Sequence, residues 1–306
     1  MTPVPIIETT GLSKRYGNVS AVDDLSLTVP ASRITGFLGR NGAGKSTTIK
    51  MLLGMIRPTS GTGSVIGHRI DDPAESRTMR RSVAYVAEDK PVYSFMTVAQ
   101  TIAFARAFYS DWRIDVERML LARYKLPKDR MVKALSKGMR TKLALLLALA
   151  RQPALLILDE PSDGLDPVSI EELLQSLTSA AADGTSVFFS SHRIDEVERI
   201  SDAVCILDRG KLRLHVEMDV LREQFRVITA SFPGAAPQFS SKLSGVEHVA
   251  IAGRQCTLLV SKDVDVVVAR AYAMGATTVD IRPVSLREVF LAMHVEVTGE
   301  RGMNHV

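Results

Sequence analysis

Cysteine is nearly absent from this chain of 306 residues: it has two, Cys205 and Cys256, far apart in apolar, strand-like runs. They form no metal-binding spacing, and they read as reduced core thiols of a cytosolic protein. Long hydrophobic runs are missing too. The longest, Leu143 to Ala150, is broken by Arg151-Gln152-Pro153 and is too short to cross a bilayer. Met1 to Glu8 lacks a charged-then-apolar plan, so no signal peptide is expected. Charge of one sign is scarce as well. The formal net charge of +4 suits an anionic membrane surface or a nucleotide, yet a cluster of basic side chains is more often a solvated face, and with no nucleic-acid motif present no nucleic-acid partner is expected. Neither an internal repeat nor a low-complexity tract interrupts the chain. What remains is enough apolar content, 46% of residues, for one large core or two unequal ones.

The most informative stretch is Gly39-Arg40-Asn41-Gly42-Ala43-Gly44-Lys45-Ser46, a complete G-x-x-x-x-G-K-[ST] loop entered from the apolar run Ile34 to Leu38. Gly39, Gly42 and Gly44 accept backbone angles that a Cβ resists, so successive N–H groups can turn inward around phosphate oxygens. Lys45 supplies a point charge for the β- and γ-phosphates, and the Ser46 hydroxyl is a candidate Mg²⁺ ligand. Residues Ser46 to Leu53 read as a helix stopped by Gly54, its N-terminal dipole aimed at the phosphates. Nucleotide contacts are therefore expected at Gly39, Asn41, Gly42, Ala43, Gly44, Lys45, Ser46 and Thr47. The alternative is a plain glycine-rich turn, which would not need strand, loop and helix in this order.

Far along the chain, Leu155-Leu156-Ile157-Leu158-Asp159-Glu160 reads as a strand buried on both faces of a parallel sheet that delivers two carboxylates to its C-terminal edge. Asp159 is the expected direct or water-mediated partner of Mg²⁺, and Glu160 is placed to polarise a water attacking the γ-phosphate. The competing reading has both carboxylates merely capping the following helix.

Between these halves lies Leu135-Ser136-Lys137-Gly138-Met139-Arg140. It resembles the signature of the ATP-binding cassette (ABC) ATPases, usually Leu-Ser-Gly-Gly-Gln, with Ser136 and Gly138 retained and Lys137 and Met139 departing. At a helix N-terminus, Ser136 would offer a hydroxyl and Gly138 an unobstructed N–H to an anion; the resemblance makes that anion the γ-phosphate on the other cassette of a head-to-tail dimer. Ser136 as an ordinary N-cap is compatible with this. Further matches follow in the family's order. Tyr16 matches the aromatic that stacks on adenine, the alternative being an exposed loop tyrosine. Ser162-Asp163-Gly164-Leu165-Asp166 resembles the D-loop through which two cassettes sense each other, with Ser162 and Asp166 as its site residues, and His192 matches the switch histidine at the γ-phosphate. Glu88 stands where the family has Gln: it keeps an oxygen for Mg²⁺ while losing the amide donor.

The resemblance covers about residues 6 to 215. It implies an α/β P-loop cassette, a mixed-sheet core with an inserted helical subdomain at about 89–150, spanning 1–215. Residues 216–306 are expected as a small α+β accessory domain beyond a polar hinge at Glu217 to Glu223. Strands are expected at Ile6–Thr9, Leu25–Val29, Val83–Ala87, Leu155–Asp159, Val187–Ser190 and Val204–Leu207. The implied function is an ATP-binding, Mg²⁺-dependent ATPase subunit of an ABC transporter, catalysed through Glu160 and His192. It would power a separate transmembrane permease from the cytoplasmic face of the cell membrane, as a homodimer or as a heterodimer with a second cassette. The signature variant, Glu88 and the appended domain resemble bacterial exporter cassettes of the antibiotic-efflux kind. A non-transport ABC ATPase acting on a macromolecular complex is the alternative; such relatives carry two cassettes or a long coiled coil, and this chain has one cassette and no heptad tract.

Overall fold

Alternating apolar residues open the chain as a long hairpin. In a computed structural model, which describes residues 5–89, 92–239 and 243–294, strand β1 (Pro5–Tyr16) pairs antiparallel with β2 (Val19–Pro30). Leu25, Leu27 and Val29 of β2 turn inward and the polar residues between them outward, the two-residue period of a sheet with one buried face. The short strands expected here are thus the inward-facing parts of longer ones. The hairpin then recruits β4 (Ser60–Val65) and β5 (His68–Arg69) into a sheet of order β2-β1-β4-β5. Neither added strand stands out in the sequence, because Ser60-Gly-Thr-Gly-Ser64 holds no apolar residue.

The second sheet is the scaffold of the site. Strands β3 (Ile34–Gly39), β6 (Val83–Val86), β7 (Leu155–Leu158), β8 (Ser186–Ser191), β9 (Ala203–Asp208) and β10 (Lys211–Glu217) run in the order β10-β9-β3-β8-β7-β6. From β9 to β6 neighbouring strands are parallel, and every residue of β3, β7 and β8 is buried, as strands covered on both faces must be. Helices α1 (Lys45–Leu52), α2 (Pro73–Ser82), α6 (Pro167–Ala182) and α7 (Ile194–Ile200) connect them. One core joins both sheets through Leu12, Leu27, Phe37, Ile49, Ile157 and Phe188. Between β6 and β7 lie α3 (Val98–Arg106), α4 (Ile114–Arg123) and α5 (Lys137–Leu149), in the stretch where a helical insertion is expected; residues 90 and 91 of that stretch fall outside the described residues.

The described chain divides into two compact units between His215 and Val216. The second contains α8 (Met218–Gln224), β11 (Arg226–Ser231), β12 (Val246–Ala252), β13 (Gln255–Val260), α9 (Val264–Ala273), β14 (Thr278–Pro283) and α10 (Leu286–His294). Its strands form an antiparallel sheet of order β12-β13-β11-β14 over a core of Ile228, Ala230, Leu258, Val260, Val267 and Ala271. The expected polar hinge is corrected here. Glu217 to Glu223 holds the end of β10 and most of α8, because Met218 and Leu221, three residues apart on one helical face, are both 1% exposed; burial of that pair orders a segment whose composition reads as a linker. Cys205 and Cys256 are free and buried, and burial pushes the Cys256 thiol up to about 11.

Candidate functional site

Parallel register brings three strand ends level. Leu38 of β3 pairs with Ser191 of β8, and Leu158 of β7 with Phe189 of β8. The chain leaving β3 therefore enters the glycine loop beside the carboxylates leaving β7 and His192 leaving β8, at the carboxyl edge where open α/β sheets hold ligands.

Gly42 and Gly44 have φ of +81° and +106°, and a Cβ on Gly44 would lie 2.3 Å from the carbonyl oxygen of Ala21. Conformation and space both demand glycine at 44. That residue is the N-cap of α1 and supplies no side-chain acceptor, so the N–H groups of the first turn are left for an anion. Lys45 is 5% exposed. Its Nζ lies 2.6 Å from Gly39 O, 3.2 Å from Arg40 O and 3.0 Å from Glu160 Oε1.

Glu160 holds two cationic or proton-bearing partners at once. Beyond the Lys45 contact on Oε1, Oε2 lies 2.9 Å from His192 Nδ1 and accepts the His192 backbone N–H at 3.3 Å. With Glu160 ionised, His192 carries its proton on Nδ1. The backbone of Glu160 is left-handed, φ +44°, a conformation that costs a residue with a Cβ about 1–2 kcal/mol. Asp159 is 2% exposed, and its Oδ1 accepts the Ser190 hydroxyl at 2.7 Å. Tyr85, pushed up to about 12 by burial and then by the negative charges of Asp159, Asp89 and Glu88, registers the acidic field on this side.

Two cavities share this edge. Asn41, Gly42, Gly44, Lys45, Ser46, Thr47, Glu88, Glu160 and His192 line one of about 400 Å³. Ser46, Glu88 and Asp159 line another of about 690 Å³, with Lys50, Lys137, Arg140 and Asp163. A buried cation, bare N–H groups and a three-sided carboxylate fit a polyphosphate beside a water. The oxygens of Ser46, Asp159 and Glu88 are hard donors of the kind Mg²⁺ prefers. Among the described residues no cluster of three or more His, Cys, Asp or Glu side chains is arranged to cage a metal.

A family model described as ABC transporter matches residues 22–163. The bacitracin transport ATP-binding protein BcrA of Bacillus licheniformis is 36% identical over 72% of this chain and 72% of its own. The Nod factor export ATP-binding protein I of Rhizobium johnstonii is 32% identical over 96% of each. A solved structure of an ATP binding subunit of an ABC transporter superposes with a TM-score of 0.65 and 32% identity, covering 72% of this chain and 92% of that one. The chain belongs to the ATP-binding proteins of ABC transporters. It is an ATP-binding cassette of P-loop fold, in a family whose general activity is ATP hydrolysis, and its likeness to the Rhizobium protein runs through the second unit, past the point where the sequence motifs stop.

Several expected site residues of this cassette lie outside the two cavities. Gly39 and Ala43 shape the loop from behind: a Cβ on Gly39 would sit 2.6 Å from Leu207 O, and Ala43 is 4% exposed. Tyr16 ends β1 at 52% exposure, with the Lys14 ammonium 5.2 Å from its ring centroid. Ser136 is the N-cap of α5 and accepts the Met139 N–H at 3.2 Å. At Gly138 a Cβ would lie 2.7 Å from Ser169 Oγ, so this glycine lets α5 approach the start of α6. Asp166 caps α6, accepting from the Ser169 N–H and hydroxyl. Ser162 donates at 2.6 Å to Glu196 Oε2, a carboxylate 2% exposed whose pKa burial raises against the pull of Ser162 and Arg193.

Residues that motif reading passed over also take part. Lys137, the basic departure in the signature, pairs with Asp163 at 3.0 Å and lies over Gly164, where a Cβ would meet its Nζ at 2.4 Å. Ser190 touches both β7 carboxylate residues. The one sequence signal for it is a hydroxyl pair, Ser190-Ser191, ending an otherwise apolar strand.

Proposed function

We propose that this cassette binds ATP with Mg²⁺ at the edge of β3, β7 and β8, hydrolyses it, and drives a separate membrane permease in the export direction. The observation that carries the reading is Glu160, with one carboxylate oxygen on Lys45 and the other on His192, in a cavity walled by the phosphate loop. An entering triphosphate competes with Glu160 for Lys45 and for the N–H groups at the start of α1. Drawn off by the β- and γ-phosphates, Lys45 leaves Oε1 to accept a proton from a water attacking the γ-phosphorus, while the bond to the ADP oxygen breaks. His192 holds Oε2 and orients the base. Ser46, Asp159 and Glu88 would hold Mg²⁺, which would supply positive charge against the phosphate oxygens. Tyr16 is assigned to adenine. Ser136 and Gly138 are assigned to the γ-phosphate of a second cassette, with Ser162 and Asp166 at the same junction. No described helix is long and apolar enough to cross a membrane; the separate permease and the peripheral place at the cytoplasmic face are assigned by likeness to the ATP-binding proteins of ABC transporters. Export is supported by the name of the Nod factor export relative, and transport by that of the bacitracin relative.

The test combines chemistry and assembly. Lys45→Ala should remove turnover from a folded protein. Glu160→Gln should bind ATP yet hydrolyse at least about 10²-fold more slowly, and size-exclusion chromatography with ATP and Mg²⁺ should show it as a dimer with itself or with a co-expressed second cassette. Adding Ser136→Arg should abolish that dimer. Normal hydrolysis by Lys45→Ala would sink the nucleotide site, and an unchanged dimer in the double variant would sink the head-to-tail assignment.

A further inference from the structure

A single hydroxyl stands behind both carboxylates of the candidate site. Ser190 lies on β8, 0% exposed, one residue beyond the Phe189–Leu158 pair of the β8–β7 ladder, and therefore level with Asp159. Its Oγ accepts the backbone N–H of Glu160 at 2.9 Å and contacts Asp159 Oδ1 at 2.7 Å. The proton directions follow from the chemistry. A backbone N–H can only donate, and an ionised carboxylate can only accept, so the one hydroxyl proton of Ser190 points to Asp159 and an oxygen lone pair receives Glu160. Neither bond can reverse.

Each bond does something different. The bond to Oδ1 fixes the rotation of the Asp159 carboxylate and leaves Oδ2 as the oxygen without that commitment, in a residue that walls the cavity shared with Ser46 and Glu88. The bond from Glu160 N pins the peptide plane between Asp159 and Glu160. That plane precedes the left-handed backbone at Glu160, φ +44°, a strained conformation that persists only where its surroundings over-determine it. This conformation sends the Glu160 side chain between Lys45 and His192. Ser191, next in the chain, is engaged elsewhere: its hydroxyl accepts the Arg193 N–H at 2.9 Å and lies 3.4 Å from Glu196 Oε2. It provides no substitute.

We propose that Ser190 is a positioning residue for ATP hydrolysis, setting through one hydroxyl both the metal-facing carboxylate of Asp159 and the water-facing carboxylate of Glu160. The proposal rests on the hydrolytic reading of the site above. It predicts a particular division of effects, because the Ser190 hydroxyl bonds Asp159 and Glu160 and not the glycine loop or Lys45. Nucleotide affinity should survive its loss, while turnover should fall and the demand for Mg²⁺ should rise.

The experiment compares wild type with Ser190→Ala, Ser190→Cys and Ser190→Thr, with Glu160→Gln as the reference for lost chemistry. Nucleotide binding is measured with a non-hydrolysable ATP analogue, and ATPase rates over titrations of ATP and of Mg²⁺. Ser190→Ala should lower kcat about 10–100-fold, the range for losing a group that orients an active-site ligand. It should raise the Mg²⁺ concentration for half-maximal rate and leave KM for ATP unchanged. Ser190→Cys keeps the volume with a weak donor and acceptor, so it should fall with Ser190→Ala and serves in its place if the alanine variant does not fold. Ser190→Thr restores the hydroxyl and should recover the rate. Wild-type kcat and Mg²⁺ demand in Ser190→Ala, wild-type behaviour in Ser190→Cys, or equal loss in Ser190→Ala and Ser190→Thr would each overturn the proposal. A wild-type protein that hydrolyses nothing, or a fully active Glu160→Gln, would instead overturn the hydrolytic reading.

Discussion

Gly44 and Glu160 both occupy the left-handed region, and they differ in how openly the sequence announces it. Gly44, at φ +106° with the Ala21 carbonyl 2.3 Å from where a Cβ would sit, belongs to a motif whose glycines are there for that reason. Gly44→Ala should therefore displace the loop and its neighbour. The backbone alone costs about 1–3 kcal/mol, so the thermal midpoint should fall and ATP affinity should drop at least about tenfold, since 1.4 kcal/mol is a factor of ten. Calorimetric titration with ATP and a melting curve check both, and an alanine variant binding ATP as wild type does would contradict the loop geometry. Glu160 carries the same strain with nothing in its side-chain type to reveal it. Its role as a carboxylate after an aliphatic strand is legible; the bend that aims it is not, because the bend depends on Ser190, 30 residues away in sequence.

Among elements, α5 and α10 show how local signals succeed and where they stop. Ser285 and Glu288 form a reciprocal cap at the start of α10: the Glu288 N–H donates to Ser285 Oγ, and the Ser285 N–H donates to Glu288 Oε2 at 3.0 Å. The Ser-x-x-Glu spacing states this in advance. Ser136 at the start of α5 is equally plain as a cap. Gly138 is different. The resemblance to the signature motif implies an unobstructed N–H offered to an anion; the structure packs the residue against Ser169 on α6, so the glycine serves helix–helix approach within the same chain. Gly138→Val should wedge α5 away from the N-terminus of α6, lowering stability by about 1–3 kcal/mol, the cost of overpacking. Urea denaturation followed by circular dichroism reads this without any nucleotide. An unchanged midpoint would mean that the glycine matters only to the opposing cassette.

At the scale of the molecule, the two units give separate handles on stability. The only tryptophan of the chain, Trp112, lies in the first unit, so its fluorescence follows that unit while far-ultraviolet circular dichroism follows both. In the second unit the Arg282 side chain, together with the Ser285 N–H and hydroxyl, holds Glu288 down to about 2 from an ordinary 4.5, against a smaller opposing effect of burial. A carboxylate whose pKa is lower folded than unfolded stabilises the fold above the unfolded value and loses that contribution as pH falls toward the folded one. Glu288→Gln should therefore be less stable than wild type at pH 7. The gap should narrow as pH falls from about 4.5 to about 2, measured by urea unfolding with circular dichroism as the probe. A gap independent of pH would show that the ion pair contributes nothing through its charge, as exposed pairs often do.

By itself the sequence determined the phosphate loop, the strand that delivers Asp159 and Glu160, the Ser136 cap of α5 and the places of the β3, β6, β7, β8 and β9 strands along the chain. Each of these is written in neighbouring residues: glycine where φ is positive, aliphatic runs where both faces are covered, hydroxyl and carboxylate residues where N–H groups lack partners. Only the tertiary structure decided the rest. The Ser60–Val65 strand exists because the hairpin edge accepts a polar partner, and α8 replaces a linker because Met218 and Leu221 find a place to bury. Lys137 meets Asp163, and Ser190 meets both carboxylates, because parallel strands and packed helices set distant residues side by side at distances that spacing along the chain does not encode.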